Sequence, residues 1–294
     1  MILKRENEIP SLDKLCAQRE IYTTAKKYFY LQIFVAVISL FMLSLAQLIF
    51  SSLNFTLAIA TYSIMAVIAD NLLERHISKL KERASKVQEL FDTYVLDIRW
   101  NYILCSSKPE YHEICEYNKK HLSKNDYSKL VNWYEVEIDN VDGLTGKIIC
   151  QKTNCNYDSI IRKKYSNVVL IIGITTIVSI ILFTIFTDIS FAKIILTVVF
   201  PAVPIIQWTQ KNIITNNDSI KNLEQLNSLL NSTWNNIKGG IVIDELVIRQ
   251  IQDGIYLNRK GSPLIPDFIY EKLRPKLEEQ TYYTVSQLVR EING

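Results

Sequence analysis

Only three histidines, eight glycines and seven prolines occur in 294 residues, and the short patterns on which many enzymes are built are missing. Residues 143–147 read GLTGK, with two residues between the glycines where a phosphate-binding loop needs four. Cys105, His112, Cys115 and His121 are residue types that zinc favours, but their spacings match no finger pattern. No nucleophile, metal set or carboxylate pair stands at a readable spacing, which makes an enzyme the least favoured class. The formal net charge of +3 is too small to argue for a DNA or RNA polymer as partner.

The most telling absence is local. Residues 29–50, 55–69 and 168–186 contain no Asp, Glu, Lys or Arg, and residues 191–208 contain only Lys193. A helix rises about 1.5 Å per residue and a bilayer core is about 30 Å thick, so roughly 20 apolar residues cross it. The reading is an all-α integral membrane protein with four transmembrane helices, paired as two hairpins. Long helices are expected to extend from them into a mainly helical cytoplasmic domain.

Charge placement gives the expected orientation. Lys and Arg number 6 in residues 1–28, 16 in 71–166 and 10 in 209–294, while the connectors 51–54 and 187–190 hold none. By the positive-inside rule both termini and the middle segment are cytoplasmic. The predicted order is a cytoplasmic N-terminal helix (1–28), a first transmembrane hairpin (29–70), a first cytoplasmic segment (71–166), a second transmembrane hairpin (167–208) and a second cytoplasmic segment (209–294). The two cytoplasmic segments are expected to pack together as one domain. Cys16, Cys105, Cys115, Cys150 and Cys155 all fall in cytoplasmic stretches, where thiols stay reduced, so no disulfide framework is expected. The first apolar run is too long for a signal-peptide core and follows six cations, so it is expected to remain in the mature protein.

Periodicity predicts the soluble elements. A helix over 11–28, capped by Ser11, carries Leu12, Leu15, Arg19, Tyr22 and Ala25 on one face and runs into the first span. Beyond the second span, Leu73, Ile77, Leu80, Ala84, Val87, Phe91, Tyr94 and Ile98 recur at spacings of four and three, a heptad seam. Helical faces are expected over 110–138 and 155–166, and GKIICQK (146–152) as one short strand. A stripe of Ile220, Leu223, Leu226, Leu230, Trp234 and Ile237 ends at Gly239 and Gly240. Helices are predicted over 242–258 and from Pro275 to near Ile292.

Candidate functional residues fall in two groups. In the spans, Asp70 and Lys193 are the ionisable groups, both near span ends where snorkelling suffices, and Pro201 and Pro204 mark a bend that is either a gate hinge or a static kink tolerated by neighbouring helices. In the cytoplasmic stretches, arginine forks for phosphate and aromatic faces for bases are available at Arg99, Trp100, Tyr102, Trp133, Tyr134, Arg249, Tyr256, Arg259, Tyr270 and Arg274.

Several stretches carry a resemblance. The opening KRENEIPSLDKLCAQREIYTTAK includes Ala17, Gln18, Arg19, Tyr22, Ala25 and Lys26 in an AQR-x-x-Y-x-x-A-K pattern. With DIRWNY (97–102), NWYEVEI (132–138), CQKTNCNYDSIIRKKY (150–165) and RQIQDGIYLNRKGSPLIPDFIYEKLRP (249–275), it resembles the SMODS-associating four-transmembrane effectors of bacterial anti-phage signalling, CBASS. Cys16 and Lys152 depart from that pattern, which has Ala and Arg there. The resemblance implies a pore-forming effector of the inner membrane that works as a homo-oligomer, acts on the lipid bilayer and kills the infected cell. Its activating ligand would be a cyclic di- or trinucleotide, with no other cofactor. The residues it points to for ligand sensing are Arg249, Asp253, Tyr256, Arg259 and Arg274, with Arg99 and Trp100 second. Two other classes remain open at this level: a membrane-anchored scaffold that binds a protein through the heptad seams, and a small ligand-gated channel unrelated to immunity.

Overall fold

The computed structural model describes residues 2–50, 56–186, 195 and 199–294, and among them there is no β-strand. The elements are α1 (Ile2–Glu6), α2 (Ile9–Ile33), a π-helical turn (Phe34–Ile38), α3 (Ser39–Ile49), α4 (Thr56–Val95), α5 (Tyr102–Cys105) and α6 (Tyr111–Leu122). A 3-10 turn (Val136–Asn140) is followed by α7 (Gly143–Phe186), α8 (Phe200–Lys238), α9 (Glu245–Gly261) and α10 (Asp267–Asn293).

Residues 146–152 are not a strand but lie inside α7. Asp142 caps this helix, its Oδ1 accepting the N–H groups of Leu144 (2.9 Å) and Thr145 (3.1 Å), while Ile148, Ile149 and Cys150 are fully buried on it. Capping and burial override the β preference of the isoleucine pair. Ser11 is not a cap either. Helix α2 starts at Ile9 with Pro10 in its first turn, and the Glu8 carbonyl accepts from Ser11 and Leu12. The last helix begins at Asp267, eight residues before Pro275, which sits in its interior. The carbonyl that Pro275 leaves without a partner belongs to Glu271, and both residues are exposed, so water can serve it. Helix α9 starts three residues later than predicted because Asp244 caps it, accepting from the Leu246 N–H at 2.9 Å. The region 110–138 is helical only as α6 and the start of the 3-10 turn.

The seam on α4 holds from Ile77 through Leu80, Ala84, Val87 and Phe91, all buried. It then shifts: Tyr94 is 42% exposed and Val95 is buried in its place, and Ile98 lies past the helix end. A straight helix drifts about 20° per heptad against a strict seven-residue repeat, so after several turns the inward position moves by one residue. The α8 stripe buries Leu223, Leu230 and Trp234. Its end is a paired closure: the Gly240 N–H reaches the Ile237 carbonyl and the Ile241 N–H reaches that of Asn236, both at 2.9 Å. Gly240 sits at φ +73°, where a Cβ would be strained.

The chain divides into two compact units, one of residues 1–24, 80–163 and 218–294 and the other of 25–79 and 164–217. In the first, Leu15, Phe91, Leu96, Ile148, Leu230, Ile248, Ile251 and Val285 share one core drawn from the start, middle and end of the sequence. The second has the opposite character. Ile64, Met65 and Val67 on α4 are 67%, 63% and 63% exposed, and Ile171, Ile174, Ile181 and Ile185 on α7 are exposed likewise. A contiguous apolar surface of this kind belongs in lipid. Three helical stretches, Ile9–Leu43, Leu57–Val95 and Gly143–Leu182, are long and apolar enough to cross a bilayer. The first part of the fourth predicted span, 191–198, lies outside the described residues apart from Ile195, as does the connector 187–190, whereas 200–208 is helical and forms the start of α8.

Several polar side chains in the apolar unit are tied internally. At the π-helical turn the Phe34 carbonyl accepts the Ser39 N–H, and the Ser39 hydroxyl lies within hydrogen-bond reach of the Phe34 (2.5 Å) and Val35 (3.1 Å) carbonyls. The Tyr62 hydroxyl on α4 reaches the Val35 carbonyl at 3.0 Å and Ser39 Oγ at 2.7 Å. Gly173 on α7 is buried against Thr209 on α8, where a Cβ would come within 2.7 Å of Thr209 Cγ2.

Substituting Leu230→Ala in the fully buried stripe should cost about 2–5 kcal/mol. The neighbouring Leu229→Ala, at a position 40% exposed, should change stability by about 0.5 kcal/mol or less. Thermal unfolding in detergent of the two variants checks which face of α8 is inward.

Candidate functional site

The polar centre of the first unit is built on two helix faces. On α4, Ser85, Glu89 and Asp92 follow one another at spacings of four and three, and all three are fully buried. On α9, Arg249, Gln252, Tyr256 and Arg259 are spaced by three, four and three, which also aligns them on one face. The two faces meet. Arg249 Nη2 pairs with Glu89 Oε1 at 2.7 Å and with Asp253 Oδ1 at 2.8 Å, and Arg259 Nη1 pairs with Asp92 Oδ2 at 2.5 Å. Between them the Gln252 amide donates to Glu89 (2.8 Å) and Asp92 (3.1 Å).

The network continues into α7 and the loops. Gln151 donates to Gln252 Oε1 at 3.1 Å and to the Ile248 carbonyl at 2.9 Å. The Tyr134 hydroxyl donates to Asp92 Oδ1 at 3.2 Å and accepts from Asn154 at 3.1 Å. Asn101, which caps α5, donates to Asp253 at 3.0 Å, and Arg249 Nη1 donates to the Arg99 carbonyl at 2.7 Å. Burial alone would pull the Arg259 guanidinium down, but the Asp92 charge and hydrogen bond outweigh it and hold the group well above its usual range. Removing one partner of such a pair strands a buried charge, at about 3–5 kcal/mol.

Of the residues expected to sense a ligand, Arg249, Asp253 and Arg259 meet in this network with their charged groups engaged. Tyr256 is fully buried beside Cys105. Arg99 contributes its carbonyl and keeps its side chain exposed, while the Trp100 indole N–H donates to the Ser106 carbonyl at 3.0 Å. Arg274 stands with a different set, bound through Nε to Glu278 at 2.6 Å and within electrostatic reach of Tyr270 and Tyr157. In the second unit Asp70 accepts from Gln32 at 2.9 Å, and Gln32 also donates to Glu74 (3.1 Å), which Lys211 holds at 2.9 Å. Pro201 and Pro204 fall within α8, and Lys193 lies outside the described residues. Among the described residues no group of three or more His, Cys, Asp or Glu side chains is placed to hold a metal ion.

A family model described as the SMODS-associating 4TM effector domain matches residues 1–288. The chain belongs to this effector family. It is also 25% identical, over 99% of its own length and 99% of the relative's, to a probable CBASS effector molecule of Bacillus cereus (strain VD146). No solved structure matches it.

Sequence reasoning about the effector missed Glu89, Asp92, Gln252, Gln151 and Tyr134 as members of one network. A readable signal was present. The Ser85–Glu89–Asp92 stripe has the same four-and-three spacing as the apolar seam beside it, and a stripe of Arg249, Gln252, Tyr256 and Arg259, spaced by three, four and three, stands on α9.

Glu6 is a separate buried acid of this unit, 1% exposed. Its Oε2 accepts the Tyr134 N–H at 3.0 Å, and Oε1 has no partner among the described residues. Burial, aided by Asp139 and Glu135, pushes its pKa up from 4.5 to about 8. Between those values the unfolded chain has lost this proton and the folded protein keeps it, so the Glu6 contribution falls as pH rises through the window. Thermal unfolding of the wild type and of Glu6→Gln, compared from about pH 5 to about pH 8, should give a shallower decline for the variant.

Proposed function

We propose that this effector is a non-enzymatic, ligand-gated protein of the bacterial inner membrane that disrupts the bilayer when a cyclic di- or trinucleotide binds it. One feature supports the reading most. The 40-residue helix α4 carries both outward-facing apolar side chains (Ile64, Met65, Val67 and Ile68) and the buried carboxylates Glu89 and Asp92 of the polar network. A change in how the network packs therefore acts on the same helix that enters lipid. A ligand drives such a change only through differential affinity for the two states, and release of cytoplasmic contents is the output.

Orientation and assembly are part of the proposal. The Lys and Arg distribution supports a cytoplasmic position for both termini, residues 71–166 and residues 209–294, on the side where a nucleotide signal is made. Thr175 and Ser179, exposed one helical turn apart on the apolar half of α7, favour packing against another copy through hydroxyl groups. Pro204, inside α8, is the proposed hinge of the opening motion, and Asp70 its polar anchor near the span end.

Liposomes loaded with a self-quenched dye and containing the purified effector test this. Release is expected with one cyclic di- or trinucleotide from a panel and none with the corresponding linear nucleotide. Silence across the panel from correctly inserted protein would contradict the reading, as would equal release without ligand.

A further inference from the structure

Arg19, on α2, is a cation without a counter-ion. It is half-buried and forms no hydrogen bond or ion pair with any described residue. The groups that act on it most strongly are Tyr270, Arg274, Cys16 and Tyr157, so a second guanidinium stands close by and no carboxylate is among them. The acids flanking it in sequence are taken: Asp13 accepts from Asn118 and Tyr127, each at 2.8 Å, and Glu20 holds Lys124 at 3.2 Å and Lys120 at 3.7 Å.

Arg274 is only partly engaged. Glu278 is bound through Nε, so both terminal nitrogens lack a partner among the described residues. The rings of Tyr157 and Tyr270 stand 6.2 Å apart between centroids at an angle of 53°, both half-buried. Four side chains from α2, α7 and α10 of the same unit thus stand within electrostatic reach of one another: Arg19, unpaired among the described residues, Arg274 with its terminal nitrogens unpartnered there, and two aromatic rings. Guanidinium forks grip phosphate oxygens in bidentate fashion, and phenol rings stack on bases. Two like charges held together repel, and an anion between them removes that repulsion.

The alternative location is less apt. At Arg249 and Arg259 a phosphate would have to displace Glu89 or Asp92 and strand a buried carboxylate. We propose that Arg19, Arg274, Tyr157 and Tyr270 form the site that takes the phosphodiester groups and bases of a cyclic oligonucleotide. The proposal rests on the nucleotide-gated reading above.

The test measures binding of a panel of cyclic di- and trinucleotides to the full chain in detergent, with thermal unfolding as the folding control. For whichever panel member the wild type binds, Arg19→Gln and Arg274→Gln should each weaken affinity by about tenfold or more, the scale of a lost charged hydrogen bond. Arg19→Lys should fall between, because it keeps charge and loses the fork, and Lys276→Gln, an equal charge loss at an exposed site on the same helix as Arg274, should leave affinity unchanged. Should Arg19→Gln fail to fold, Arg274→Gln decides. Unchanged affinity in folded Arg274→Gln or Arg19→Gln would overturn this site and leave the effector reading standing. A wild type that binds no member of the panel would overturn both.

Discussion

Glu89 and Asp92 lie on the last turns of α4 with no solvent exposure, and Arg249 and Arg259 of α9 reach them at 2.7 and 2.5 Å. Taking a carboxylate out of water costs several kcal/mol, and an opposing guanidinium in good geometry offsets that cost. A buried pair of this kind contributes little net stability compared with apolar packing, but it is highly particular about position. Sliding α9 by one residue would turn both arginines by about 100° and leave two charges stranded. The apolar seam tolerates small shifts, as its step from position 94 to 95 illustrates, whereas the charged stripe does not. The charges therefore fix which face and which turn of α9 docks, and the segments that carry Tyr134, Asn101 and Gln151 close around that arrangement.

The same helix that bears these charges has a different solvent requirement at its other end. Between Leu57 and Leu72 its large apolar side chains point outward, which water would penalise and lipid does not. Polar groups in lipid have no water to turn to, and here the Ser39 and Tyr62 hydroxyls find internal partners in the Phe34 and Val35 carbonyls of the π-helical turn. One continuous helix thus obeys two sets of rules, and membership of the SMODS-associating 4TM effector family gives that division a purpose.

Much of this is legible without coordinates. The membrane-spanning class follows from uncharged runs alone, and the inward residues of α4 and α8 follow from their spacing. What the pattern misses are local boundaries set by groups beyond the reach of periodicity. Asp142 and Asp244 move helix starts, Pro275 is compatible with a helix interior because its neighbouring carbonyl faces water, and burial turns Ile148 and Ile149 from strand formers into a helix face. The charged stripes on α4 and α9 are each visible in the spacing, but that they pair with one another is not, since contact across more than 150 residues leaves no mark on local pattern. Arg19 stands out in the sequence only as part of a motif; that it lacks a counter-ion is a property of the fold.

Asp92 and Arg259 pair across α4 and α9 at 2.5 Å, and the docking of α9 in one register rests on their acting as a unit. A double-mutant cycle with Asp92→Asn, Arg259→Gln and the double variant, read as unfolding free energy in detergent, tests it directly. Strong coupling is expected, about 1–3 kcal/mol, with the double variant less destabilised than the sum of the single ones. Simple additivity, within about 0.3–0.5 kcal/mol, would contradict it.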